Sequence, residues 1–193
     1  MSIIIGLTGP TGAGKSSAAK VCGSLGVKHI DCDILARAAV EKGTDGLKAV
    51  VLVFGSDVLN TDGTLNRKAL AQKAFKDKDS TTLLNETLLP HIEKLVMNEI
   101  EGEYVLLDAP TLFESGINKI CNKTIVVLAD KEIRLKRIIG RDNITNEQAV
   151  LRINAGKTDD FYKENCDFVI YNNNDENTFI NEFSNILKEI CEL

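Results

Sequence analysis

The chain lacks most features that mark membrane-bound, secreted or zinc-binding proteins. No apolar run approaches the roughly 20 residues of a membrane-spanning helix, and the first apolar run is too short for a signal peptide. The five cysteines are scattered without a C-x-x-C pair, and the two histidines complete no zinc pattern. There is no internal repeat or low-complexity segment. We therefore expect a cytoplasmic protein with reduced thiols and no membrane partner.

The overall composition indicates one soluble globular domain. A length of 193 residues allows a substantial core, and 44% hydrophobic with 26% charged residues is ordinary for such a domain. The net charge of −5 argues against a dedicated nucleic-acid partner. Composition does not indicate an oligomeric state.

One stretch, Gly9–Ser16, carries the pattern of a phosphate-binding loop: glycine, four residues, then Gly-Lys-Ser. It follows the apolar run Ile3–Leu7 and precedes a helical pattern, which is the context that the motif requires. Glycines let backbone N–H groups surround an anion, while Lys15 supplies charge for the outer phosphates and the Ser16 hydroxyl can bind Mg²⁺. The predicted nucleotide-binding residues are Thr11, Gly12, Ala13, Gly14, Lys15, Ser16 and Ser17.

The order of apolar runs predicts an α/β fold with a doubly wound, mostly parallel, five-stranded sheet flanked by helices. The predicted strands cover residues 3–7, 27–30, 104–108, 124–128 and 168–171. The loop would then lie at the switch point after the first strand. Residues 38–101 are predominantly helical, with a kink or break expected at Pro90. Such an insertion is either a substrate cap or plain scaffold.

Three acidic residues follow predicted strands at the edge where ligands bind in such sheets. Asp31 and Asp33 lie where the second strand gives way to a helix, so either a site role or helix capping explains them. Asp108 ends a buried strand and is a candidate for the Mg²⁺ side of a nucleotide site. The candidate metal residues are thus Ser16, Asp31 and Asp108.

A basic helix is predicted from Lys131 to Asp142. Arg134, Arg137 and Arg141 share one face of it at spacings i, i+3 and i+7. Solvation alone would explain one arginine. Three on one face of an acidic protein with a phosphate loop favour a phosphate clamp.

The sequence resembles the dephospho-coenzyme A kinase family over essentially its whole length. Beyond the loop, the matching segments are Asp31–Arg37, 54–70, Pro110–Glu114, Arg137 with Arg141-Asp142, and Phe168–Asn173. Departures occur at Pro10, Pro90-His91, Thr111 and Gly156. They bear on substrate affinity more than on the reaction.

The resemblance implies a P-loop kinase fold and an activity. Such enzymes transfer the γ-phosphoryl group of ATP, with Mg²⁺, to the ribose 3′-hydroxyl of dephospho-coenzyme A. The resemblance also implies that Asp33 is the general base, and that the lid residues Arg137 and Arg141 take part in catalysis together with Lys15. It further implies that the segment around Asn172 contributes to the adenine site. The implied parts of the single domain are a core (1–37, 103–130, 166–193), a helical coenzyme A-side insertion (about 38–101) and a lid (about 131–160).

Two other functions remain open from the residues alone. A nucleoside or nucleotide monophosphate kinase shares the loop, the sheet and the lid. A nucleotide switch is the more distant alternative, because Asn122-Lys123-Thr124-Ile125 lacks the aspartate of the guanine motif Asn-Lys-x-Asp.

Overall fold

The computed structural model describes residues 2–192, in which five strands alternate with helices. The strands are β1 (Ile3–Thr8), β2 (Lys28–Asp31), β3 (Tyr104–Asp108), β4 (Lys123–Leu128) and β5 (Phe168–Tyr171). The helices are α1 (Ser16–Cys22), α2 (Cys32–Ala38), α3 (Asp45–Phe54), α4 (Arg67–Ala74), α5 (Lys78–Glu99), α6 (Lys131–Asp142), α7 (Asn146–Asn154), α8 (Asp159–Asn165) and α9 (Glu176–Cys191). Short 3₁₀ helices cover Gly23–Leu25, Ser56–Val58 and Ile117–Ile120. Each predicted strand is present within about one residue of its predicted bounds.

The strands form one sheet in the order β2-β3-β1-β4-β5. β1 pairs in parallel with β3 on one side and with β4 on the other, and β4 pairs in parallel with β5. The loop after β1 therefore lies where the strand order reverses, which is the ligand-binding position of such sheets. The α/β fold class and the place of the loop are confirmed.

The core of the sheet is built on β1 and its neighbours. Ile5 and Leu7 of β1 have no exposed surface and pack in one cluster with side chains of α1 and α9. In α9 the rings of Phe179 and Phe183 stack with centroids 6.0 Å apart. This packing holds α1, and the loop before it, at a defined place on the sheet.

The chain divides into two compact units. One contains the sheet and consists of the residues up to 30, 101–110 and those from 120 onward. The other is helical and consists of residues 31–100 and 111–119. The division falls before Asp31 and not near residue 38 as the sequence suggested, because α2 packs on α5 within the helical unit.

The helical unit has its own core, in which α5 contacts α2, α3 and α4. Val50, Val58 and Ala74 are fully buried in it. α5 runs without interruption from Lys78 to Glu99 and includes Pro90. The helix therefore does not break at Pro90, since packing against three helices outweighs one missing backbone hydrogen bond. The kink, which was the other expectation at Pro90, stays a prediction. Among residues 2–192, no helix combines the length and apolar character that a bilayer crossing needs.

Candidate active site

The phosphate-binding loop lies in the sheet unit, between β1 and α1, in a backbone form that only glycine allows. Gly9 has a φ of 151°, and a Cβ there would lie 2.2 Å from the Val127 carbonyl oxygen of β4. Gly14 has a φ of 91°, and its Cβ would lie 2.3 Å from Asn172 Nδ2. Both positions combine a positive φ with close neighbours, so larger residues would displace the loop. The structure thus explains why glycine stands at these two positions of the motif.

The motif residues Lys15, Ser16 and Ser17 lie at the junction of the loop with α1. Lys15 Nζ donates a hydrogen bond of 2.9 Å to the Gly9 carbonyl oxygen, so its ammonium group lies across the loop. Ser16 is the first, exposed residue of α1. The Ser17 hydroxyl donates to Glu176 at 3.0 Å. Hydrogen bonds from Lys20 and Ser17 hold the pKa of Glu176 below its usual range.

Arg137 and Asn172 contact the loop from its carbonyl side. Arg137 Nη1 donates to the Ala13 carbonyl at 3.1 Å, and Nη2 donates to the Asn172 carbonyl and side chain at 3.0 and 3.2 Å. Asn172, only 5% exposed, donates from Nδ2 to the same Ala13 carbonyl at 2.9 Å. Both residues therefore help to hold the loop backbone in place.

The other two arginines of the predicted clamp differ from each other. Arg134 is buried and donates to the Thr11 carbonyl oxygen at 3.1 Å. Arg141, with 63% of its side chain exposed, forms two hydrogen bonds with Asp142, at 2.7 and 2.9 Å. The bond from Arg141 is the main reason why the pKa of Asp142 is lowered. The shared helical face thus brings two of the three arginines to the loop.

Asp31 and Asp33 have different places at the start of α2, in the helical unit. Asp31 is the N-cap residue, and its Oδ1 accepts from the backbone N–H groups of Asp33 and Ile34 at 2.9 and 3.3 Å. Asp33 is an exposed residue of the first turn. Capping is therefore the task of Asp31, and capping does not explain Asp33.

A cavity of about 380 Å³ in the helical unit includes Asp33 in its wall. Two arginines, Arg37 and Arg67, contribute positive charge to the wall. The other lining residues are mostly apolar: Ala36, Val40, Leu65, Leu70, Ala71, Phe75, Leu84 and Leu88. A ligand with an apolar arm and negatively charged groups matches this lining.

Asp108 ends β3 next to the strand that carries the loop, and it lies close to His29 of β2. The distance from His29 Nε2 to Asp108 Oδ2 is 3.7 Å. Within the described residues, His29 Nε2 and Asp108 Oδ1 are buried and have no hydrogen-bond partner. No group of three or more His, Cys, Asp or Glu residues among residues 2–192 could hold a metal ion. A site with one or two protein ligands suits Mg²⁺, which takes its remaining ligands from water and substrate phosphates.

The comparisons with known proteins identify the family. The family model for dephospho-CoA kinase matches residues 3–178. This chain belongs to that family. It is 42% identical over 179 residues to a dephospho-CoA kinase of Listeria innocua, with 90% of each chain covered. It is 35% identical to the dephospho-CoA kinase of Oryza sativa, with 98% of this chain and 85% of the plant protein covered.

Solved structures agree with this membership. The dephospho-CoA kinase of Campylobacter jejuni superimposes with a TM-score of 0.68 at 26% identity, over 98% of both chains. The protein TT1252 of Thermus thermophilus reaches 0.80 at 28% identity over the same share. Shikimate kinase of Acinetobacter baumannii, at 16% identity and a TM-score of 0.56, shares the fold alone. The chain is a P-loop kinase of the dephospho-CoA kinase family.

Sequence reasoning missed two residues that contact candidate site residues, namely His29 and Asp159. His29 lies on β2, two residues before Asp31. Only the place of β2 beside β3 in the sheet brings its side chain to Asp108. Asp159 contacts the buried guanidinium of Arg134 at 3.2 Å. No local pattern signals either contact, since both join residues that are distant in the chain.

Proposed function

We propose that this chain transfers the γ-phosphoryl group of ATP to the ribose 3′-hydroxyl of dephospho-coenzyme A. The observation that carries the proposal is the glycine-dependent loop that continues into Lys15 and α1, in a chain of this family. Phosphoryl transfer requires mainly positioning and neutralisation of charge in a loose transition state. A glycine-dependent loop with the Lys15 ammonium group across it meets that requirement.

At the nucleotide, we assign Lys15 and the loop N–H groups to the β- and γ-phosphates. Ser16 and Asp108 would hold Mg²⁺, which neutralises phosphate charge when it is bound. The unpartnered Asp108 Oδ1 supports this assignment. Asp31 is the weaker metal candidate, because its Oδ1 already accepts two N–H groups of α2.

At the acceptor, we assign Asp33 as the general base that takes the proton of the 3′-hydroxyl. Its place in the cavity wall supports this role, since the same cavity suits the rest of the acceptor. The apolar residues fit a pantetheine-like arm, and Arg37 and Arg67 fit phosphate groups. Positioning of the base beside the hydroxyl is then part of acceptor binding.

The arginines of α6 are assigned to the transition state and to the exclusion of water. Arg137 lies on the loop backbone, where its Nη1 donates to the Ala13 carbonyl, and it would have to leave this carbonyl to reach a phosphate. Arg141 must leave Asp142 to do the same, which is compatible with its exposed position. Closure of residues 131–160 as a lid would suppress hydrolysis of ATP. We also assign the adenine site to the segment around Asn172.

A direct assay tests the proposal. Purified protein is incubated with ATP, Mg²⁺ and dephospho-coenzyme A, and the acceptor product is identified by its mass and its position of phosphorylation. We expect the mass of one added phosphoryl group on the ribose 3′-oxygen. A parallel panel of nucleoside monophosphates tests the other kinase class. Transfer to a monophosphate and none to dephospho-coenzyme A would refute the proposal.

The cellular setting is part of the same proposal. All five cysteines are free thiols, as expected in the reducing cytoplasm. We therefore place the reaction there.

A further inference from the structure

Arg134 is an unusual residue for the helix face that it occupies. It is 4% exposed, and of the buried polar or charged residues between 2 and 192 it alone carries a charge. Burial lowers the pKa of its guanidinium, and the nearby Asp159 carboxylate acts in the opposite direction. A buried charge is costly unless its partners are well placed. The partners of Arg134 therefore indicate what its burial achieves.

The first partner is the loop itself. Arg134 Nε donates to the Thr11 carbonyl oxygen at 3.1 Å. Because a trans peptide is planar, the N–H of Gly12 points away from the Thr11 carbonyl. Holding that carbonyl toward α6 therefore turns the Gly12 N–H toward the other side of the loop.

The same arrangement recurs two peptides further along the loop. Arg137 and Asn172 both donate to the Ala13 carbonyl, at 3.1 and 2.9 Å. The N–H of Gly14 therefore also points away from α6. The carbonyl groups of Thr11 and Ala13 are thus held on one side, which leaves the N–H groups of the same two peptides for an anion on the other.

The second partner of Arg134 is Asp159, in the first turn of α8. Its Oδ1 lies 3.2 Å from Arg134 Nη1, and its side chain is 41% exposed. The guanidinium thus joins the loop to the start of α8. Its Nε is committed to the loop carbonyl and its Nη1 to the carboxylate.

We propose that Arg134 is a positioning residue that acts on ATP through the Thr11 carbonyl and is itself held in place by Asp159. The proposal rests on the proposed function only in taking ATP as the ligand of the loop. The alternative is that Arg134 binds a phosphate directly. The two roles predict opposite effects of the neighbouring carboxylate.

The test compares Asp159→Asn with Asp160→Asn and Arg134→Gln. Asp160 is the matched control, because it lies in the same helical turn, with 84% of its side chain exposed, and contacts only Lys163 among the described ion pairs. Calorimetry measures the Kd for ATP and for inorganic tripolyphosphate, and kinetics give KM for each substrate. Thermal melting reports stability separately.

We expect Arg134→Gln to weaken ATP and tripolyphosphate binding about tenfold, the equivalent of about 1.4 kcal/mol for a lost charged hydrogen bond. Asp159→Asn should weaken both by about three- to tenfold, since the guanidinium keeps one of its two anchors. KM for the acceptor should stay unchanged in both variants. Asp160→Asn should bind ATP as the unchanged protein does.

Three results would overturn the proposal. Tighter ATP binding by Asp159→Asn would show direct phosphate contact, because removal of a negative charge would then help the ligand. Unchanged Kd values with a lowered Tm in Arg134→Gln and Asp159→Asn would show that Arg134 has a merely structural role. An unaltered protein that binds neither ATP nor tripolyphosphate would refute it together with the loop assignment. Normal ATP binding without transfer to dephospho-coenzyme A would refute only the proposed function. Should Arg134→Gln fail to fold, Asp159→Asn decides alone.

Discussion

Replacing Asp33 by asparagine separates its proposed role as general base from any structural role. Asparagine keeps the size of the side chain but cannot take a proton from the acceptor. Loss of a general base typically costs 10²–10⁴-fold in rate. We therefore expect kcat to fall by roughly two orders of magnitude or more while ATP still binds.

The structure sets the expected change in stability. Asp33 does not cap α2, because the two backbone N–H groups at its start are bound by Asp31. Asparagine removes the attraction between the carboxylate and the helix N-terminus, which is worth about 0.3–1 kcal/mol at an exposed site. For a protein of this size, that contribution lowers Tm by about 2–4 °C or less.

Variants of Asp31 provide the control. Asp31→Ala removes the cap and should cost about 0.5–2 kcal/mol of unfolding free energy. Asp31→Asn should restore most of it, since asparagine caps about as well as aspartate. Both should retain far more activity than Asp33→Asn. Steady-state kinetics, calorimetry with ATP and thermal melts on the same preparations supply the comparison. A fully active Asp33→Asn enzyme would refute the assignment and move the search for a base to Asp31 or Asp108.

Three further predictions follow from the loop, the arginines and the thiols. Lys15→Ala should abolish turnover and leave the Tm nearly unchanged; normal kcat in the folded variant would contradict the loop assignment. Arg141→Ala should lower kcat with little effect on Tm, while Arg137→Ala should lower both kcat and Tm, because of the two only Arg137 holds the loop backbone. Transition-state arginines are worth roughly 10³–10⁵ in rate, so wild-type kcat and KM in both variants would refute the clamp. Burial raises the pKa of Cys22 and of Cys121 to about 12. Their thiols therefore stay neutral in the folded protein while those of the unfolded chain ionise, so unfolding free energy should fall as pH rises above about 9. Urea unfolding at pH 8 and pH 10 measures this fall in unfolding free energy, and Cys121→Ala should make the fall smaller. An equal unfolding free energy at both pH values would contradict the prediction.

The sequence alone was sufficient for the loop, the five strands and the family, because these depend on patterns within short segments. The motif Gly9–Ser16 specifies a backbone form through its glycines, and the apolar runs before and after it specify a strand and a helix. Family motifs around Asp33 and Arg137 then indicated the reaction. A helical pattern likewise predicted that Arg134, Arg137 and Arg141 share a face, since 3.6 residues per turn is a local property.

What those side chains contact was decided only by the tertiary structure. The sequence could not tell which aspartate caps α2, nor that α5 continues through Pro90 because three helices pack against it. It also could not show that Asn172 reaches a carbonyl 159 residues away, or that Arg134 reaches one 123 residues away. Such contacts require that the strand order first place the end of β5 and the start of α6 beside the loop. Local patterns carry no information about that order, because it results from the burial of the whole core.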